Sequence, residues 1–170
     1  MRNIFKRTVA VSMIMIMAAT TLSGCNSNKK ADGKSKETKQ EITNQAFVDG
    51  KKVFDDYMNS KYNKKTKKEA ENIYSYTIRD KEKNILVKYA FVYLKSDEEA
   101  DKYIDNVSGA FSDDYVSEYD AGEKGVAIIP SDDIDYPSYI LTKKGTGVYT
   151  VSYEDEYEAD AKEFIVEVTK

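Results

Sequence analysis

Histidine and tryptophan are absent from this chain of 170 residues, cysteine occurs once and proline twice. Without histidine there is no Ser-His-Asp or Cys-His machinery, no imidazole metal ligand, and no side chain that ordinarily titrates between about pH 5 and 8. A single thiol, Cys25, excludes an intrachain disulfide, a multi-cysteine zinc site and a dithiol redox pair. No Walker loop, dinucleotide fingerprint or HExxH run is present. Of the common catalytic devices only a carboxylate-held metal, a Ser-Lys dyad or a pair of acids remains compatible with the composition.

The chain begins with a short basic head, Arg2, Lys6 and Arg7. From Thr8 to Thr21 it is uncharged and mostly apolar, and small residues follow. This is the order of a secretory signal peptide. The apolar run falls short of the roughly 20 residues that a membrane-spanning helix needs.

The run closes on Leu22-Ser23-Gly24-Cys25, which resembles the lipobox of bacterial lipoproteins. The resemblance implies that Cys25 carries a diacylglyceryl group and that the Gly24–Cys25 bond is the cleavage site. Two acyl chains supply the two signals that stable anchoring requires, at about 0.8 kcal/mol per buried methylene. The mature protein is therefore expected at the cell membrane, lipid-anchored and facing the extracytoplasmic side.

Removal of residues 1–24, with their three cations, leaves 146 residues and moves the formal charge from −4 to −7. An acidic mature chain argues against nucleic acid as a partner. The charge is unevenly spread. From Gln45 to Ser96 there are 12 basic and 7 acidic residues; from Asp97 to Lys170 there are 6 basic and 20 acidic.

Residues Asn26 to Asn44 are almost entirely polar and cannot bury enough surface to order themselves. With Cys25 they read as a tether over 25–44. Its 19 coil residues have a root-mean-square span of about 25 Å and a stretched limit of about 65 Å. The globular part is then 45–170, one α+β domain.

Within it, Phe47, Phe54 and Met58 recur at helical spacing, with Val48, Tyr57 and Tyr62 beside them, and Asn44 is placed to cap. That helix is expected from Gln45 to about Lys68, its lysine-rich tail suiting the negative end of the macrodipole. Ile73–Ile78 and Ile85–Leu94 read as an antiparallel hairpin. The second run, ILVKYAFVYL, carries one charge in ten residues, which marks a central strand covered on both sides.

Ser96-Asp97-Glu98-Glu99 is a capping box, opening a helix through Ala100, Tyr103, Ile104 and Val107 that Gly109 ends. Asp113–Gly125 reads as irregular and Val126–Ile129 as a strand. Ser138–Thr142 and Val148–Tyr153 flank a five-residue hairpin loop. A last helix from about Asp155 buries Tyr157, Ala161, Phe164, Ile165 and Val168. The order α-β-β-α-β-β-β-α predicts an antiparallel sheet of about five strands with about three helices.

Asp132, Asp133 and Asp135 are the densest carboxylates and the candidates for a hard-cation site, with Asp113 and Asp114 as supplements. They lack the glycine and distal glutamate of a calcium loop, and an acidic solvated loop is the reading their spacing favours. Same-facing tyrosines, Tyr74 with Tyr76 and Tyr149 with Tyr153, suit either ligand contact or packing under the helices; packing is favoured.

The residues thus describe a lipid-anchored module that binds or scaffolds at the cell envelope without catalysis, with no cofactor. Its expected partners are the membrane, through the anchor, and an envelope protein or wall polymer. The alternative is a carboxylate-based cell-envelope hydrolase.

Overall fold

The computed structural model describes residues 45–70, 72–131 and 136–170. Gly24, Cys25, the tether and Asn44 lie outside the described residues, as do Asp132, Asp133 and Asp135. The described chain is α+β: helix α1 (Gln45–Lys61), strands β1 (Thr66–Glu69), β2 (Ile73–Arg79) and β3 (Ile85–Tyr93), helix α2 (Asp97–Ser108), strands β4 (Val116–Glu118), β5 (Lys124–Ile128), β6 (Ser138–Lys144) and β7 (Gly147–Tyr153), and helix α3 (Glu158–Thr169). All seven strands join one antiparallel sheet in the order β1-β2-β3-β7-β6-β5-β4.

Two strands exceed the expected five. β1 is Thr-Lys-Lys-Glu, exposed throughout, and its charge had read as a helix tail; the helix in fact stops at Lys61. β4 is three residues within the stretch expected to be irregular. Both are the outermost strands. Short, charged, exposed edges leave little for another sheet to pair with, and that same polarity hides them from a hydrophobic pattern.

Alternation assigns each strand two faces. On the first, Tyr74, Tyr76, Val87, Tyr89, Phe91, Ile140, Tyr149 and Val151 pack beneath α1 (Phe54, Tyr57, Met58) and α3 (Ala161, Phe164, Ile165, Val168). On the second, Val92, Leu94, Tyr139, Leu141, Val148 and Ile128 pack beneath α2 (Ala100, Tyr103, Ile104, Val107). β3 is buried from both sides, as a nearly charge-free strand requires.

Glycine sets how closely α1 approaches the sheet. A Cβ on Gly50 would stand 2.8 Å from both Phe91 Cζ and the Tyr149 hydroxyl, and one on Gly147 would stand 2.7 Å from Phe91 Cε2. The Phe91 ring thus sits against two glycines and stacks on Tyr149, centroids 4.8 Å apart.

The capping box forms. Ser96 Oγ accepts from the Glu99 N–H at 3.2 Å, and Glu99 Oε2 accepts in return from the Lys95 N–H, one residue earlier than the usual pattern. The β6–β7 loop is two residues rather than five. Gly145 opens it at φ 56°, the positive φ that tight hairpin turns require. The last helix starts as a 3-10 turn over Asp155–Tyr157, with Tyr157 only half-buried.

Sheet order also turns the uneven charge of the sequence into a spatial one. β1, β2 and β3 form one side of the sheet, and the four later strands form the other.

Candidate functional site: a lysine on a hydroxyl-bearing sheet face

The tyrosines of the first face are structural. Asp55, on α1, accepts from the Tyr74 hydroxyl at 2.6 Å and from the Tyr76 hydroxyl at 2.7 Å through one oxygen, Oδ1. Beside them the Tyr62 and Tyr89 hydroxyls lie 2.6 Å apart, and Tyr62 donates to Asp160 Oδ2 at 3.1 Å. Lys61 holds Asp160 at 3.2 Å and Glu163 at 2.6 Å, tying α1 to α3. Lys51 and Lys67 stand 4.6 and 4.5 Å from the Tyr74 ring centroid, and both pair with Glu69. These rings and carboxylates satisfy one another, which is the packing expectation and leaves that face little to offer a ligand.

Asp113 and Asp114 fall in a 3-10 turn before β4, exposed. Among the described residues no group of three or more carboxylate or thiol side chains is placed to hold a metal ion.

The second face is different. Strand register lines up Thr66, Thr77, Lys88, Ser152 and Tyr139 across β1, β2, β3, β7 and β6. The adjacent row runs Lys68, Ser75, Ala90, Thr150 and Leu141. Lys88 therefore has a hydroxyl residue directly opposite on both sides, at Cβ separations of about 5 Å, and Ser75 and Thr150 on the diagonals at about 7–8 Å.

Ser75, Ala90, Thr150 and Ser152 are buried and Lys88 is half-buried. Two polar atoms here are sealed from solvent and lack a hydrogen bond: the Tyr139 hydroxyl and Thr150 Oγ1. Buried hydroxyls ordinarily find partners, so two orphans in adjacent rows of one sheet face are informative.

Among the described residues no hydrogen bond or ion pair is formed by the Lys88 ammonium; Glu154 follows Ser152 by two residues and bonds to Leu86 through its backbone N–H. Desolvation, then the charges of Lys68 and Arg79, push its pKa below the usual lysine value. Lys143, two rows away on the same face, shows what an accommodated lysine looks like. It is 7% exposed and lies 3.0 Å from Asp101 of α2 and 3.8 Å from Glu123. Desolvation pulls the Lys143 pKa down, but the hydrogen bond and charge of Asp101 outweigh it, and the pKa rises. Among the described residues Lys143 has ion pairs and Lys88 has none.

The residues of this site were in view as a lone charge in the ILVKYAFVYL strand. Their partners Thr77, Ser152, Thr150 and Tyr139 come from three other strands, which register alone brings together. No protein-family model, no curated protein and no solved structure matches this chain.

Proposed function

We propose that this chain is a lipid-anchored extracytoplasmic protein whose sheet domain binds a component of the cell envelope without chemistry. The observation that carries the binding reading is the unpaired, half-buried Lys88 set among hydroxyls. An uncompensated cation in a covered position destabilises the fold, and such a residue is more readily understood as serving a ligand than as serving the fold.

The anchor reading is supported by the lipobox at the end of an apolar run and by a sole cysteine on that motif. No helix among the described residues is long and apolar enough to cross a membrane, so in this reading attachment falls to Cys25. The hydrolase alternative is less well supported. Asp55, Asp160 and Glu163, on α1 and α3, are already held by tyrosine hydroxyls and Lys61.

Two labellings in whole cells test this. Cys25→Ala abolishes incorporation of labelled fatty acid and leaves an uncleaved precursor; normal maturation of that variant would overturn the anchor. A photo-crosslinking residue at Thr77, beside Lys88, captures an envelope component, whereas one at Glu118 on the far sheet edge does not. Equal capture at both positions, or at neither, would remove the binding reading.

A further inference from the structure

Resting on the anchor and binding readings above, we infer that the sheet corner built by β1, β2 and the β2–β3 turn docks on anionic lipid headgroups of the membrane that holds the anchor. The residues that carry this are Lys64, Lys68, Arg79, Lys81 and Lys83, all exposed. Register gathers them. Thr66 pairs with Thr77 and Lys68 with Ser75, so Lys64, two residues before Thr66, enters the sheet beside Arg79, two residues past Thr77. Lys81 and Lys83 follow in the turn, where Arg79 donates to the Lys83 carbonyl at 2.8 Å. The charges of Lys68 and Arg79 both reach Lys88 on β3, a further cation behind the exposed ones.

None of the five exposed cations forms an ion pair among the described residues. Two carboxylates of the turn stand with them, Asp80 and Glu82. Asp80 is engaged by the turn itself: Oδ1 accepts from the Glu82 and Asn84 N–H groups, and Oδ2 from the Asn84 side-chain amide. The corner is therefore net positive on a chain whose mature charge is −7.

The surplus acid stands elsewhere. Glu154, Asp155 and Glu156 follow β7, on the far side of β3 from β1 and β2. α2 lies over β5, β6 and β7, and β5 is five strand spacings from β1, about 24 Å. Charges are screened over about 8 Å at physiological salt, so the acidic half does not cancel the attraction at the corner.

A few surface cations hold a free protein weakly, but an anchored domain never leaves the bilayer. The anchor makes headgroup contact an intramolecular step, and each lysine or arginine near an anionic leaflet strengthens that contact about fivefold. A wall polymer would have to be held from solution by the same few charges, which favours the lipid surface as the partner. The tether fits this placement. α1 spans about 25 Å from Gln45 to Lys61, and Lys61 precedes Lys64 closely in the chain. With the corner on the bilayer, Gln45 stands within about 25 Å of it, the root-mean-square span of the tether. Docking then turns the acidic half and its outer strand β4 away from the membrane.

Cys25 is the sole cysteine, so once it is lipidated a single introduced thiol takes a label. The mature lipidated chain is reconstituted in phosphatidylcholine vesicles and in vesicles that also contain phosphatidylglycerol, both carrying a headgroup quencher. A fluorophore at Thr66→Cys is quenched more strongly in the phosphatidylglycerol vesicles, and the difference vanishes in about 1 M salt, where the screening length falls to about 3 Å. A fluorophore at Glu118→Cys, on the opposite sheet edge, shows no difference. Lys68→Gln lowers the docking constant about fivefold, and Lys68→Gln with Arg79→Gln about 25-fold, while the circular dichroism spectrum stays native.

Equal quenching at Thr66 in the two kinds of vesicle, or a difference that survives high salt, would overturn the inference. If the vesicles make no difference while crosslinking at Thr77 captures a wall polymer, the lipid surface is the wrong partner and the binding reading stands. Failure of the chain to stay on phosphatidylcholine vesicles at all would remove the anchor reading instead.

Discussion

Raised from pH 9 to about pH 11, the protein unfolds in one cooperative step, and tyrosinate absorbance appears in that step rather than before it. Six tyrosines with almost no exposure drive this: Tyr74, Tyr89, Tyr103, Tyr139, Tyr149 and Tyr153. Burial disfavours the phenolate, and it pushes Tyr74, Tyr103, Tyr149 and Tyr153 to about 12. Tyr89 and Tyr139 are driven higher, by burial first and then by neighbouring groups, the Tyr62 hydroxyl for Tyr89 and Tyr136 for Tyr139.

In the unfolded chain each ionises near pH 10. Their folded-state pKa values lie above that, so the stability they contribute is fully present below pH 10 and is lost as pH rises through the folded values. At pH 11 each forfeits about 1.4 kcal/mol, or about 8 kcal/mol for six, against a total stability of about 5–15 kcal/mol for a domain. Lys88 acts the other way. Its pKa is lowered in the fold, so its penalty is present at neutral pH and disappears as pH climbs toward the ordinary lysine range. One lysine does not offset six tyrosines. A gradual rise in absorbance near pH 10 with the circular dichroism spectrum unchanged would show that these hydroxyls reach solvent.

The tyrosine count that makes this steep was visible from composition, and so was much of the architecture. Period-3.6 and period-2 patterns located the three helices and five strands because each buries an apolar stripe or face. β1 and β4 escaped for the opposite reason. Thr66–Glu69 and Val116–Glu118 lie at the sheet's edges and are half-buried at most, and only backbone pairing to β2 and β5 makes them strands.

The site was half legible. A lone lysine in an otherwise apolar strand is a local signal. The hydroxyl rows around it depend on a strand order, β2-β3-β7-β6, in which β3 and β7 lie more than fifty residues apart in the chain. No local pattern encodes which late strand pairs with β3. Serine and threonine on the second face of β2 and β7 were indistinguishable from solvent-facing positions until the register set them in adjoining rows, where Ser75, Thr150 and Ser152 are buried.

Asp55→Ala destabilises the fold by about 2–4 kcal/mol. The variant leaves the Tyr74 and Tyr76 hydroxyls, both on buried side chains, with only a 3.4 Å contact between themselves, and a stranded buried hydroxyl costs about 1–3 kcal/mol. Asp55→Asn keeps an oxygen in place and loses only about 1 kcal/mol, the difference between charged and neutral acceptors. Tyr74→Phe with Tyr76→Phe removes the stranded groups, so adding Asp55→Ala to that pair costs far less than it does alone.

Lys88→Met gives the reverse sign. It removes a half-buried charge that no described group compensates and keeps the stem, raising stability by about 1 kcal/mol. Chemical denaturation of the five variants measures both effects. The contrast separates the two polar clusters of this sheet: the Asp55 cluster is held for the fold. The Lys88 face is held against the fold, and removal of its charge stabilises the protein. If Lys88→Met destabilised the protein as Asp55→Ala does, Lys88 would be a structural residue and the second face of the sheet would hold no site.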